Sequence, residues 1–460
     1  MIRVFKHYVS HAVLMLGAID ALLLVLCGEA AWRLRAVQAG IHPGFFAERA
    51  GSLAIYALLA LTTLAAVGLY RAEELRSPRY ALARLLVGLS LTVFVIGFVG
   101  FFFPGATFWR STLLSALMLS GAALLAIRVV LDKVVDVEGF KRRVVVLGAG
   151  PRAARLKALS LRPESGFRIV GFVAMTEHST VSEAVARDGI SDLSQHIDRL
   201  DGTEVVLALE ERRNSLPLKD LLKVKTAGVS VNEFSSFLER ETGRVDLDTL
   251  NPSWLIFSDG FSSGRAISSA VKRGFDILAS GLVLVLTAPI VFLFALLVKV
   301  DSRGPAFYRQ TRVGHYGQPF DLFKLRSMRM DAESAGAQFA QENDPRITRV
   351  GRFIRATRID ELPQCWSVLK GEMSFVGPRP ERPQFVRELD ELLPYYAERH
   401  IVKPGITGWA QVNYPYGAST EDSRHKLEFD LYYAKNYSIF LDLLIALQTL
   451  RVILWNEGSR

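Results

Sequence analysis

Residues 277–298 read ILASGLVLVLTAPIVFLFALLV, an uncharged apolar run with Pro289 near its middle. Crossing a bilayer takes about 20 apolar residues, so the run is long enough. Its flanks are basic on both sides, with Lys272 and Arg273 before it and Lys299, Arg303, Arg309 and Arg312 after it. Basic flanks favour the cytoplasmic side, so both ends are expected there. Proline inside a helix removes a backbone hydrogen bond and kinks it. A helix that enters the leaflet, breaks at Pro289 and returns satisfies both facts; a kinked true span is the alternative. Backbone freed at depth has to be covered by protein, so Thr287 or neighbouring helices are expected to satisfy the open carbonyls. The re-entrant segment is placed at 270–300, and 301–460 is read as a mostly α domain seated on the membrane.

Toward the N-terminus, four further apolar stretches lie at 12–32, 52–70, 85–103 and 111–127, and a four-helix transmembrane bundle over 1–135 is expected. The first carries Asp20 and Glu29, which are costly in lipid unless they face a partner helix or the interface. Arg3 and Lys6, then Arg71, Arg76, Arg79 and Arg84, then Lys133, Lys141, Arg142 and Arg143 mark the cytoplasmic side; Arg33, Arg35 and Arg49 fall in the loop expected outside. No cleavable signal peptide is expected, because the first run lacks a small-residue cleavage site and contains Asp20. The 460 residues carry a formal charge of +9, which suits anionic partners: lipid headgroups, phosphates or nucleic acid. The two cysteines, Cys27 and Cys365, lie in different environments, so no disulfide is expected.

Between the spans and the re-entrant segment the pattern is βαβ. Strands are expected at 143–147, 169–173 and 205–209 and helices at 151–161 and 217–226, giving a Rossmann-like α/β domain over 141–235. Its first turn, Gly148-Ala149-Gly150-Pro151-Arg152-Ala153, has the glycine spacing that lets phosphate approach a helix N-terminus. The second strand ends without the acidic residue that would hold a ribose, so a structural or regulatory domain stands beside nucleotide binding. Residues 236–269 read as a linker with some strand content. A last apolar stretch, 437–455, contains Asp442 and Arg451 and reads as an interfacial amphipathic helix.

Chemistry-bearing residues concentrate after Arg303. Asp360-Glu361 precedes Pro363, which suits a first helical turn, and Gly371, which suits the position just past a helix end. A helix over 362–370 would set both carboxylates at its N-terminus, where the dipole favours anions. Adjacent carboxylates repel and raise one pKa; a divalent cation with Arg355 and Arg358 would relieve this. An ionised aspartate beside a diphosphate can attack phosphorus. The plainer alternative is that both are ordinary first-turn residues. Lys324, Arg326 and the other basic residues can grip phosphate or simply contact anionic lipid. Arg379, fixed between two prolines, suits a bidentate phosphate grip.

These segments resemble the bacterial sugar transferase family, the polyprenyl-phosphate hexose-1-phosphate transferases. The resemblance runs through Lys272-Arg273-Gly274-Phe275-Asp276, Gly304-Pro305 with Arg309-Gln310, Lys324-Leu325-Arg326-Ser327-Met328, Asp360-Glu361-Leu362-Pro363-Gln364, Gly377-Pro378-Arg379-Pro380 and Lys403-Pro404-Gly405-Ile406-Thr407-Gly408. The leading spans and Rossmann-like domain resemble the long form, such as undecaprenyl-phosphate galactose phosphotransferases, and the C-terminal part resembles an exosortase-associated subgroup. The resemblance implies that Asp360 is the nucleophile of a two-step reaction. It would take a hexose-1-phosphate from a UDP-sugar, release UMP and pass the phosphosugar to undecaprenyl phosphate, initiating exopolysaccharide or O-antigen synthesis. Glu361, with Asp360, would hold Mg²⁺; Arg355, Arg379, Lys324 and Arg326 would neutralise the diphosphate. It further implies the bacterial inner membrane, a cytoplasmic catalytic face and a homodimer. Two positions depart from the family: Ala288 stands where a serine commonly precedes the helix-breaking proline, and Asn413-Tyr414-Pro415-Tyr416-Gly417 lacks the usual arginine of that turn. A membrane-anchored dehydratase or epimerase is disfavoured, since no tyrosine occurs from Lys141 to Leu250 to make a Tyr-x-x-x-Lys pair. A nucleotide-sugar sensor or scaffold is the non-catalytic alternative; a nucleic-acid role has only the charge behind it, and no nucleic-acid partner is expected.

Overall fold

The computed structural model describes the chain except residues 1, 5–6, 10, 71–77, 104–107, 135–140, 164, 177–179, 211–215, 251–265, 333–343, 416, 418 and 456–460. Arg71, Arg76, Tyr416 and much of the expected linker therefore lie outside the described residues. The chain divides into two compact units, one built mainly of Val9–Leu64 and Gly68–Asp246 and the other mainly of Leu247–Arg460.

In the first unit, helices His11–Ala39, Phe46–Ala66, Pro78–Phe102 and Arg110–Val134 carry the four apolar stretches, each long and apolar enough to cross a membrane. Several of their buried polar groups are paired across helices, as apolar surroundings favour. Asp20, fully buried, accepts from Arg128 Nη2 at 2.6 Å and from the Tyr70 hydroxyl at 2.8 Å. Glu29 accepts from Arg33 at 2.8 Å and from Arg49 at 2.8 and 3.1 Å. Tyr56 meets Ser120 at 2.8 Å, and Thr63 meets Thr92 at 2.6 Å. Both acids of the first stretch thus face partners from other segments.

The same unit holds a five-stranded parallel sheet in the order Val185–Ala186, Phe167–Ala174, Arg142–Leu147, Glu204–Leu207, Ser230–Glu233. The central strand is buried from Val144 to Leu147, as a parallel strand covered on both faces must be. Gly148 has φ +127°, and a Cβ there would lie 2.4 Å from Ala208 O, so the tight turn after the first strand needs glycine. The expected linker begins inside this domain. Phe234–Thr242 is a helix whose Phe234, Phe237 and Leu238, at i, i+3 and i+4 spacing, complete the sheet's core.

The second unit starts with one helix, Ala266–Asp301, of 36 residues. The expected break is not there: the helix runs on through Pro289. Nor does Thr287 serve the carbonyl that proline leaves open. That carbonyl belongs to Val285, four residues back, whereas the Thr287 hydroxyl donates to Val283 O at 2.7 Å. Both arms of the helix meet elements of the same compact unit. Near its start, Lys272 donates to Asp442 Oδ2 at 2.7 Å and to Val376 O at 3.2 Å; Arg273 donates to Val368 O and Leu369 O; and Asp276 accepts from Ser374 Oγ and the Phe375 amide. Near its end, Val298 packs with Leu325 and Ile354, Phe294 stacks on Phe353, and Asp301 accepts from the Val350 amide at 3.0 Å. Between the arms, Leu278, Leu282, Val285, Leu286, Phe292 and Leu293 are exposed.

After this helix the chain is mostly helical around two small sheets, an antiparallel hairpin of Phe307–Val313 with Pro319–Leu325 and a parallel pair of Ser374–Val376 with Gly405–Thr407. The last helix, Ile439–Trp455, inverts the expected amphipathic reading. Asp442 and Arg451 are its inward residues, 0% and 2% exposed, and Leu443, Leu450 and Ile453 face outward. Asp442 is held by Lys272 and by the Tyr433 hydroxyl at 2.8 Å, and Arg451 donates to Val412 O at 3.1 Å. Charge goes inside because partners wait there, leaving an apolar outer face that suits lipid.

Candidate active site

The site forms where the hairpin strand Pro319–Leu325 meets the segment after helix Arg349–Ala356. That helix is capped by Thr348, whose hydroxyl accepts from the Gly351 amide at 2.9 Å. Arg358, with φ 59°, then takes a left-handed conformation that few non-glycine residues adopt, and the chain turns into a 3₁₀ helix, Ile359–Gln364. Asp360 and Glu361 stand in the first turn of this 3₁₀ helix. The α-helix follows as Cys365–Lys370, shorter than the expected 362–370, because residues through Gln364, Pro363 among them, wind in the tighter form. Gly371, with φ 90°, ends it as its position suggests.

The two carboxylates have different surroundings. Glu361 Oε1 accepts from Lys324 Nζ at 3.1 Å and from Arg379 Nη2 at 3.1 Å, with Arg358 at 4.0 Å. Burial pushes its carboxyl up, but Lys324, Arg379 and Arg358 outweigh that and hold it well below the ordinary carboxylate range. Asp360 is 8% exposed, and among the described residues no side-chain hydrogen bond reaches it. Burial and the neighbouring Glu361 charge raise it to about 6, against the pull of Lys324, Arg355 and Arg358. Burial also lowers Lys324 from the usual lysine range, opposed chiefly by Glu361.

Five of the six residues singled out from sequence therefore belong together: Asp360, Glu361, Lys324 and Arg379 by direct contact or adjacency, and Arg355 through its field at Asp360. Arg326 is placed differently. It is 3% exposed, and its guanidinium donates to Ser302 O at 2.8 Å and Arg303 O at 2.6 Å, closing the end of the long membrane helix. Arg326 is thus tied to main-chain carbonyls just past the helix, and its side-chain contacts are not with the carboxylate pair.

Among the described residues, no group of three or more acidic, histidine or cysteine side chains is arranged to hold a metal. Mg²⁺ does not need such a group: it is commonly bound by one or two carboxylates together with substrate phosphates. Asp360, with no side-chain hydrogen bond among the described residues, beside Glu361 fits that donor set.

The loop bearing Arg379 is built by a close crossing. A Cβ on Gly377 would lie 2.2 Å from Lys403 O, so glycine is required where the two segments of the parallel pair touch. The structure also gives a part to Arg399, which no motif reading picked out, and a new one to Arg312, read from sequence as a basic flank. Arg399 is buried and donates to Arg379 O at 3.0 Å, while Arg312 donates to Pro380 O at 3.1 Å. Arg399 stands alone in its segment, and its role depends on contacts distant in sequence.

The family model described as bacterial sugar transferase matches residues 267–456. UDP-glucose:undecaprenyl-phosphate glucose-1-phosphate transferase of Escherichia coli (strain K12) is 32% identical over 320 residues, 68% of this chain and 68% of that one. The chain belongs to the bacterial sugar transferase family. This sugar transferase is also 45% identical over 240 residues to UDP-N-acetylgalactosamine-undecaprenyl-phosphate N-acetylgalactosaminephosphotransferase of Aeromonas hydrophila, covering 52% of this chain and 56% of that one. Undecaprenyl-phosphate glucose phosphotransferase of Komagataeibacter xylinus is 35% identical over 332 residues, 69% of this chain and 60% of that one. The chain thus spans little more than half the length of these last two relatives. A second family model, described as a CoA-binding domain, matches residues 65–210 of the sugar transferase, which take in its parallel sheet's first strands and the glycine turn.

Proposed function

We propose that the protein transfers a hexose-1-phosphate from a UDP-sugar to undecaprenyl phosphate through a phosphosugar–aspartate intermediate. The observation that carries the reading is the division of labour in the carboxylate pair: Glu361 is held by Lys324 and Arg379, while Asp360 is buried and, among the described residues, has no hydrogen-bond donor on it. A carboxylate oxygen without hydrogen bonds is the better nucleophile. An Asp360 oxygen attacks the phosphorus that bears the sugar, the bond from that phosphorus to the bridging oxygen breaks, and UMP leaves with the bridging oxygen. An oxygen of the lipid phosphate then attacks the same phosphorus, the bond to Asp360 breaks, and the carboxylate is restored. Such transfer depends on positioning and charge stabilisation. Arg379, Lys324 and Arg355 supply cationic charge around the diphosphate. Mg²⁺ held by Asp360 and Glu361 with the substrate's phosphates would supply further neutralisation.

The reading extends to place. Both arms of helix Ala266–Asp301 are tied to one folded unit, and the apolar residues between them are exposed; this supports a helix that dips into the leaflet and returns, bent at Pro289. The outward apolar face of Ile439–Trp455 supports a catalytic unit seated on the bilayer, on the cytoplasmic face of a bacterial inner membrane, with a homodimer read from the family's long form. A non-catalytic sensor or scaffold would have no use for a buried Asp360 charge. The test is UMP release by the full chain in nanodiscs with Mg²⁺, undecaprenyl phosphate and a panel of UDP-hexoses and UDP-N-acetylhexosamines. Release that depends on one sugar and is lost in Asp360→Asn supports the proposal. Absence of release with every donor from folded protein rejects it.

A further inference from the structure

The turn that carries Arg379 is held in an unusual way. Its four successive carbonyls are each taken by a different donor: Pro378 O by the Gly405 amide at 2.9 Å, Arg379 O by Arg399 Nη2 at 3.0 Å, Pro380 O by Arg312 Nη1 at 3.1 Å, and Glu381 O by the Val313 amide at 2.9 Å. Pro378 and Pro380 have no N–H, so the turn has few amides with which to brace itself. The two outer carbonyls are held by main-chain amides. The two inner ones, on either side of the Arg379–Pro380 bond, are held by guanidinium groups.

Each guanidinium is in turn anchored. Arg399 is 5% exposed; it pairs with Asp430 at 2.7 Å, and its Nη1 donates to the Tyr396 hydroxyl at 2.7 Å. Arg312 donates to Gln310 Oε1 at 2.6 Å and meets Glu381 at 3.4 Å. Burying a cation is costly unless it is paired and hydrogen-bonded. A planar fork can serve several acceptors at once in fixed geometry, which a lysine cannot. Arg399 therefore links Asp430 and Tyr396, both outside the carboxylate site, to the main chain of the one residue whose side chain reaches Glu361 from this turn.

We propose that Arg399 and Arg312 are positioning residues that set where the Arg379 guanidinium stands during transfer, Arg399 through the Arg379 carbonyl and Arg312 through the next one. The functional half of this inference rests on the transferase reading above. Displacement of a positioned group by 1 Å can cost about 100-fold in rate, so loss of either anchor lowers kcat/KM without removing any group that touches substrate.

The test uses the full chain in nanodiscs with two replacements, Arg399→Lys and the charge-neutral pair Arg399→Gln with Asp430→Asn, the second guarding against a lone buried charge unfolding the protein. Hydrogen exchange at the Gly405 and Val313 amides, which hold the outer carbonyls, is expected to quicken in both while the melting temperature stays near wild type. UMP release is expected to fall about 10- to 100-fold in kcat/KM, and the same replacements made in an Arg379→Ala background are expected to cost nothing further, since no guanidinium is left to misplace. Unchanged amide exchange, or a loss that adds in full to that of Arg379→Ala, overturns the proposal. Wild-type protein that releases no UMP rejects the transferase reading instead, and Arg379→Ala as active as wild type overturns the functional half of this proposal; in either case the exchange data still decide whether Arg399 holds the turn.

Discussion

Replacing Asp360 by asparagine is expected to abolish transfer and, unusually for a buried polar site, to stabilise the protein. The ordinary aspartate value is 3.8, and burial with the adjacent Glu361 charge raises Asp360 to about 6 in the folded state. At about 1.4 kcal/mol per pH unit, that gap makes the ionised form cost the native state about 3 kcal/mol. The sign follows from proton binding. The native state holds the proton more tightly than the unfolded chain, so stability falls as pH rises from 3.8 through about 6 and is flat above. Below 3.8 both states are protonated and the cost vanishes. Asparagine keeps the shape and never ionises. Asp360→Asn should therefore melt higher than wild type at pH 7.5, by several degrees at about 2–4 °C per kcal/mol, with the difference closing by pH 4. The measurement is thermal unfolding in detergent with EDTA, so that no cation offsets the charge, at one scan rate for both proteins across pH. UMP release is followed on the same samples. A variant that melts below wild type at pH 7.5, or an advantage that persists undiminished at pH 4, refutes the argument that the burial of this charge is a cost carried for function.

Three further outcomes follow from the geometry. Lys324→Met removes a cation that lowers Asp360, so the acidic limb of the rate profile should move to higher pH, with more activity lost at pH 6.5 than at pH 8.5; an equal loss at both would count against the coupling. Lys272→Met leaves Asp442, fully buried, without its cation and should cost about 3–5 kcal/mol, read as a lower unfolding midpoint, whereas Lys272→Arg should recover part of it. Pro289→Leu restores the missing amide and removes the ring, so some of the helix should straighten into a span; cysteines placed at its two ends would then label from opposite sides of sealed vesicles, and wild-type labelling in the variant would show that contacts of the two arms, and not the proline, set the topology.

Much of the architecture was legible in the residues. Apolar runs of membrane length gave the apolar helices, because lipid leaves no alternative for satisfying a backbone. The alternation of short apolar strands and helices gave the parallel sheet, and Gly148 marked its tight turn. The site was legible where chemistry is local in sequence: Asp360 beside Glu361, and Arg379 between prolines. The reading went astray where the outcome depended on a partner far along the chain. Residues 236–242 were expected to open a linker, yet Phe237 and Leu238 fill the sheet's core once the fifth strand is laid down. Pro289 was expected to break its helix, but a proline costs one hydrogen bond and a local clash, and the helix stays continuous.

Sequence by itself determined the apolar helices and the acidic pair, which follow from composition, period and adjacent residue types, and it carried the motifs through which the chain resembles its family. Tertiary structure alone decided which carboxylate is held and which, among the described residues, has no hydrogen bond, that Arg326 binds the main chain just past a helix end, that Asp442 and Arg451 point inward, and that Arg399 and Arg312 brace the Arg379 turn. The physical reason is common to all four. A charged side chain's role is set by the partners that share its burial, and those partners, from Ser302 for Arg326 to Asp430 for Arg399, are fixed only when distant segments pack together.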